Sequence, residues 1–165
     1  TVHPVLGADG KPDHYVSIRT DITAQKQAEA ALAVSEGRFR RMFERSADAL
    51  LLLDAETGLL IHGNAAAAHM LGFESSEVLV GTRPDELSPE RQPDGQASSQ
   101  KSSEMIALAL RRGNHRFEWT YRSARRSPFA VDVRYTCIDN GPPPLLLVAW
   151  RELAEPSAVP ARLTN

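Results

Sequence analysis

The chain has 165 residues, a formal net charge of −2, 42% hydrophobic and 24% charged residues. That length favours one domain plus appendages, and the composition is that of a globular chain able to build a core. A charge this small gives no drive toward nucleic acid or anionic membrane. The pairs Arg40-Arg41, Arg111-Arg112 and Arg125-Arg126 are scattered and read as solvated faces. One cysteine, Cys137, excludes an internal disulfide and a multi-cysteine metal site, and fits a reducing cytosol. Apolar runs such as Ala49–Leu53 are far short of a membrane span. The polar N-terminus lacks a Met and reads as that of an excised fragment without a signal peptide.

Residues 1–20 read as a hairpin. Ala8-Asp9-Gly10-Lys11 supplies turn chemistry, and His14–Ile18 alternates at period two. Residues 21–46 read as one long linker helix. Asp21 and Thr23 are both candidate N-caps, and the helix formers Ala, Gln, Lys and Glu follow. Ile22, Leu32, Phe39 and Phe43 fall on spacings of ten, seven and four, close to a heptad seam. Gln25, Glu29 and Glu36 interrupt that seam, as expected for a marginal parallel pair able to shift register. An amphipathic helix lying on its own domain fits the same pattern.

Residues 47–153 carry the domain. Ala49–Asp54 is a strand with little polar alternation, so both of its faces call for cover. A turn at 55–58 leads into a returning strand, Leu59–His62. Asn64 opens a small-residue helix stopped by Gly72. Ser75 caps a second short helix ending at Gly81. Pro84–Ser99 reads as an exposed loop. Ser102-Ser103-Glu104 is expected to cap a helix running to Arg112, with Gly113 at its end.

Three strands follow, over His115–Tyr121, Phe129–Ile138 and Pro144–Trp150. The first puts Phe117, Trp119 and Tyr121 on one face and Arg116, Glu118 and Thr120 on the other. The second aligns Phe129, Val131, Val133, Tyr135 and Cys137. The fold class expected is α+β: a five-stranded antiparallel sheet with short helices on one face. The linker helix is the free element able to shield the other face. Residues 154–165, with Pro156 and Pro160, read as a loose tail.

In this order, the segments resemble the PAS sensory domain of bacterial signalling proteins. The resemblance runs from Ser35 to about Leu153. It rests on SEGRFRRMFERSADALLLLDAETG, on Asn64-Ala65-Ala66, on Met70-Leu71-Gly72-Phe73 and on HRFEWTYR. LSPERQPDGQAS, residues 87–98, resembles a loop of PAS units attached to diguanylate cyclase, phosphodiesterase or kinase modules. Residues 14–32 resemble the last strand and outgoing helix of a preceding PAS unit. Trp150-Arg151-Glu152-Leu153 stands where the family often has Asp-Ile-Thr.

The resemblance implies a pocket between the sheet and the short helices. Its candidate lining is Asn64, His69, Met70, Trp119, Tyr121, Tyr135 and Cys137. Aromatic rings with polar handles suit a planar or acidic ligand, and the plain alternative is that they fill a core. The resemblance also implies signal passing through the linker helix, with Ile22, Leu32, Phe39, Met42 and Phe43 as its dimer and signal residues. The family's haem-bearing members commonly use a His on the helix before the third strand. Glu104–Arg112 has none, which argues against haem; His62, His69 and His115 lie elsewhere. The Asn-Cys-Arg-Phe motif of flavin photochemistry is absent.

No His, Cys or Asp group has metal-ligand spacing, and the Asp9-Gly10 and Asp94-Gly95 sites read as turns. No nucleophile elbow, HExxH or P-loop appears, so no enzyme is expected. No His lies on the long helix to accept phosphate. The expected whole is a sensory and dimerisation module of a cytoplasmic signalling protein, a sensor kinase or cyclic-di-GMP enzyme. Its partners would be a second copy, adjacent domains and a small ligand of unassigned identity. The alternative is a ligand-free spacer that holds its neighbours in register.

Overall fold

A computed structural model describes residues 1–154, which divide into two compact units, Thr1–Arg40 and Arg41 onward. In the first unit, β1 (Val2–Leu6) pairs antiparallel with β2 (Pro12–Ser17), Val2 opposite Ser17. The turn closes where Gly10 takes a positive φ and the Asp9 carboxylate accepts from the Lys11 N–H at 3.2 Å. Every residue of both strands is exposed.

Helix α1 (Thr23–Arg45) follows. Asp21 begins it by accepting from the Thr23 N–H at 2.9 Å. The Thr23 side chain, and then this backbone N–H, hold its carboxyl below the usual range. Ile22, Leu32, Phe39 and Met42 are exposed, with Met42 the most open at 75%. The last turn of α1 belongs to the second unit, where Phe43 is buried to 3%.

The second unit is built on β3 (Ala49–Asp54), β4 (Leu60–Gly63), β5 (Asn114–Tyr121), β6 (Phe129–Asp139) and β7 (Leu145–Glu152). They form one antiparallel sheet in the order β4-β3-β7-β6-β5. Period-two alternation sends Ala49, Leu51 and Leu53 inward with Leu146, Val148 and Trp150, and with Phe129, Val131, Val133 and Tyr135. Ala67, Ala68, Leu71, Leu79, Ile106 and Ala109, from the helical layer, complete this core.

That helical layer comprises α2 (Ala65–Met70), a 3-10 turn over Ser76–Leu79 and α3 (Ser98–Arg112). Asn64 caps α2 through the Ala67 N–H and Ser75 caps the 3-10 turn through the Glu77 N–H. Gly72, at φ +82°, ends α2. A Cβ there would sit 3.1 Å from the Arg125 backbone nitrogen, so only glycine fits.

The outer face differs along its width. Leu50, Leu52, Leu147 and Ala149 make a half-buried apolar strip on β3 and β7. Across β5 and β6 the same face is polar, with Arg116 bound to Asp132 through both carboxylate oxygens at 2.8 and 2.9 Å. The demand for cover inferred from β3 therefore does not extend over the whole sheet.

Two expectations fail. Helix α3 begins at Ser98, four residues before the expected cap, and its own N-cap, Ala97, makes no side-chain hydrogen bond. Nor is the segment after Pro84 simply exposed, because Ser88, Gln92 and Ser98 are buried within 3%. Polar side chains there face inward because each finds a partner, which hydropathy patterning does not register. The expected loose tail lies, from residue 155, outside the described residues.

Candidate functional site

The inner face of β5, β6 and β7 carries a cluster of rings. Tyr121 lies against Trp150 with centroids 4.3 Å apart. Phe117 meets Tyr135 edge-on at 5.0 Å and Trp119 at 5.9 Å. Burial pushes the Tyr121 phenol well above its usual range, helped by Tyr135 and Asp85, while a nearby Trp150 N–H acts the other way. Tyr135 is pushed up in the same manner, by burial and then by Asp85. The Trp150 Nε1–H falls short of hydrogen-bond geometry to Tyr121, and it is buried without a partner.

A polar clamp holds the loop after Pro84 against β5. Trp119 Nε1–H donates to Ser88 Oγ at 2.8 Å, and Ser88 donates to the Pro84 carbonyl at 2.6 Å. Gln92 accepts from the Thr120 N–H at 2.8 Å and donates to the Thr120 carbonyl at 3.2 Å. Its Nε2 also reaches Ser98 Oγ at 2.8 Å. Asp85, with its side chain only 15% exposed, pairs with Arg83 at 3.3 Å. Arg83 also donates to the Thr57 carbonyl.

The third feature is a joint at Asn64, fully buried between the end of α1, β3 and α2. Its amide nitrogen donates to the Phe43 carbonyl at 3.0 Å and the Asp48 carbonyl at 2.9 Å. Its amide oxygen accepts from the Leu50 and Ala67 N–H groups, each at 3.0 Å. Both donors and both acceptor positions are thus used. Beside it the Phe43 ring stacks on His62 at 4.9 Å, and His62 Nε2 lies 3.4 Å from Glu44.

Residues 37–104 match the sequence profile described as PAS domain. The five-stranded unit is a PAS domain. The solved PAS domain of an HTR-like protein from Haloarcula marismortui is similar, at 20% identity and a TM-score of 0.60 over 78% of this chain and 99% of that one. A PAS domain of a two-component sensor histidine kinase follows at 18% identity and 0.58, over 75% and 99%. A PAS domain of a LuxR-family transcriptional regulator from Burkholderia thailandensis, solved with ethanol, matches at 14% identity and 0.57, over 71% and 98%. No curated protein matches the chain.

Within this PAS domain the residues expected to line a pocket separate. Trp119, Tyr121 and Tyr135 come together on the inner face. Met70 packs half-buried against the same core. Cys137 is half-buried near the end of β6, its Sγ 3.0 Å from Asn140 Oδ1. His69 is exposed on α2, and Asn64 spends its amide on the joint. Trp150, Asp85, Ser88 and Gln92 were not among those candidates. Alternation with Leu146 and Val148 marks Trp150 as inward. The other three lie in a segment without periodicity, where nothing local marks an inward side chain.

Proposed function

We propose that this PAS domain is a sensory and dimerisation module of a cytoplasmic bacterial signal-transduction protein, of the sensor-kinase or cyclic-di-GMP class. PAS domains are in general sensory and non-catalytic. Solved relatives of the same fold come from a sensor histidine kinase and a LuxR-family regulator. The observation that carries the reading is the Asn64 joint. One side chain binds the end of α1, the entry to β3 and the first turn of α2. A repacking of α2 or β3 therefore reaches the Phe43 carbonyl without slack, and the helix beyond it changes its pairing with a second copy. Ile22, Leu32, Phe39 and Met42 are the residues assigned to that pairing, and Phe43, buried against His62, to passing the signal into the helix. Residues 1–20 are assigned to the end of a preceding PAS unit.

Sedimentation velocity tests the pairing. The wild-type chain should be a dimer and Phe39→Glu a monomer. A Phe39→Glu dimer as tight as wild type would remove α1 from the interface. The spacer reading has one observation in its favour, namely that the inner rings pack mainly on one another. Native mass spectrometry separates the two readings: retained extra mass supports sensing, and bare protein with an unperturbed core supports the spacer.

A further inference from the structure

Strand β5 leaves one side of its ladder open, because it stands at the margin of the sheet beyond β6. Thr120 turns its N–H and its carbonyl to that side, where Gln92 meets both, and the Arg122 N–H goes the same way to the Leu87 carbonyl. Backbone groups alternate in direction along a strand. Asn114, Arg116 and Glu118 therefore face the open side too, and all three residues are exposed. Among the described residues no backbone group answers them there. A short open edge of this kind is a template for one more strand.

The charges along the edge narrow down which strand it fits. Arg116 stands opposite Arg134 on β6, and Glu118 stands opposite Asp132. Like charges placed directly across a ladder oppose each other. The diagonal ion pair from Arg116 to Asp132, at 2.7 Å, relieves part of this. Among the described residues no cation pairs with Glu118. The sheet thus reaches its margin with a doubly positive rung beside a doubly negative one.

A second copy of the same strand answers both. With a two-fold axis through Phe117, the two β5 strands run antiparallel, and Arg116 of each copy lies opposite Glu118 of the other. The row across both sheets then reads Arg134, Arg116, Glu118, Asp132, two positive residues meeting two negative ones, and the axis repeats it. Both rungs are of the narrow kind, in which the facing residues exchange two hydrogen bonds. Moving the axis one residue either way sets Arg116 against itself or Glu118 against itself.

We propose that the Arg116–Glu118 stretch of β5 is a contact site for the same stretch of a second copy, joining two sheets edge to edge. This interface is isologous and distinct from the pairing assigned to α1. Two open rungs bury little area, so the contact is weak and transient and fills where copies are already crowded together.

Charge exchange tests it. Arg116→Glu makes both rungs acidic, and Glu118→Arg makes both basic. The 15N-labelled chains, each also carrying Phe39→Glu to weaken α1 pairing, are followed by backbone amide shifts over a concentration series. With Arg116 and Glu118 both in place, their N–H signals should move saturably, while Trp119, whose backbone faces β6, serves as the reference. Either reversal alone should weaken the association about tenfold, and an equimolar mixture of the two should restore it. Glu118→Arg leaves the Arg116–Asp132 bond intact, so its weakening stands as a test even where Arg116→Glu misfolds. Signals at 116 and 118 that ignore concentration, that respond equally in both reversed chains, or that gain nothing on mixing would overturn the contact. The readout is confined to β5. A still β5 in a chain that dimerises through α1 defeats the edge contact and leaves the dimerisation module standing, and the converse result does the reverse.

Discussion

Replacing Asn64 by Ala removes four hydrogen bonds from a position with no solvent access. At about 1 kcal/mol each, the loss is about 4 kcal/mol, including the roughly 1 kcal/mol expected of the α2 cap alone. Water entering the vacated space would recover part of it, so about 3 kcal/mol is the expected net cost. For a domain whose total stability is of order 5–15 kcal/mol, that is a large share. Urea unfolding should show a lower midpoint with an unchanged slope, because the surface exposed on unfolding hardly differs. Asn64→Asp refines the test. It keeps the acceptor for the Leu50 and Ala67 N–H groups but turns an oxygen toward the Phe43 and Asp48 carbonyls. Amide exchange should then quicken between residues 43 and 48 while α2 stays protected. A cost below about 1 kcal/mol for the Ala variant, or uniform exchange in the Asp variant, would refute the claim that Asn64 holds the helix to the sheet.

Gln92→Ala cuts three hydrogen bonds between the loop, α3 and β5. Since Thr120 can then reach water, the expected cost is about 2 kcal/mol, or about 4–8 °C in Tm by calorimetry. Acid stability should depend on Asp132 and Glu152, whose carboxyls are held low by their hydrogen bonds to Arg116 and Arg126. The unfolded chain takes up protons first, near the ordinary carboxylate range of about 4. Their contribution is therefore whole at neutral pH and drains away as pH falls through the lowered native values. Thermal melts should steepen in their pH dependence below about pH 5, and Asp132→Asn should flatten part of that slope. At the alkaline end the buried phenols of Tyr121 and Tyr135 keep their protons while unfolded ones lose theirs above about 10, so stability should fall from there upward. Phenolate absorbance from both should appear together with unfolding, and a Tyr121→Phe chain should lose part of that dependence.

Much of the sheet was legible because strands with one covered face write that fact as alternation. Phe117, Trp119 and Tyr121 inward, with Arg116, Glu118 and Thr120 outward, needed no more than period two. Helix ends with glycine or a short polar cap, at Gly72, Ser75 and Gly113, were equally plain. The start of α3 was not. Four serines, at 98, 99, 102 and 103, are equal candidates by residue type. The choice among them is made at a distance, by Ser98 donating to the Pro89 carbonyl at 2.5 Å and meeting Gln92. The aromatic part of the candidate site was visible as residue type plus face. Its polar surroundings, Ser88 and Gln92, were not, since a buried polar side chain is defined by its partner and partners 28 or 31 residues away leave no local trace.

The way Gln92 grips Thr120 has one more effect. Strand β5 ends the sheet, and its outward backbone groups are what a neighbouring chain would grasp to extend the ladder. A side-chain amide offers the same donor and acceptor as a peptide unit, so at Thr120 it stands in for the missing sixth strand. It has no backbone of its own to carry the pairing onward. At that rung an arriving strand would find both the donor and the acceptor already taken.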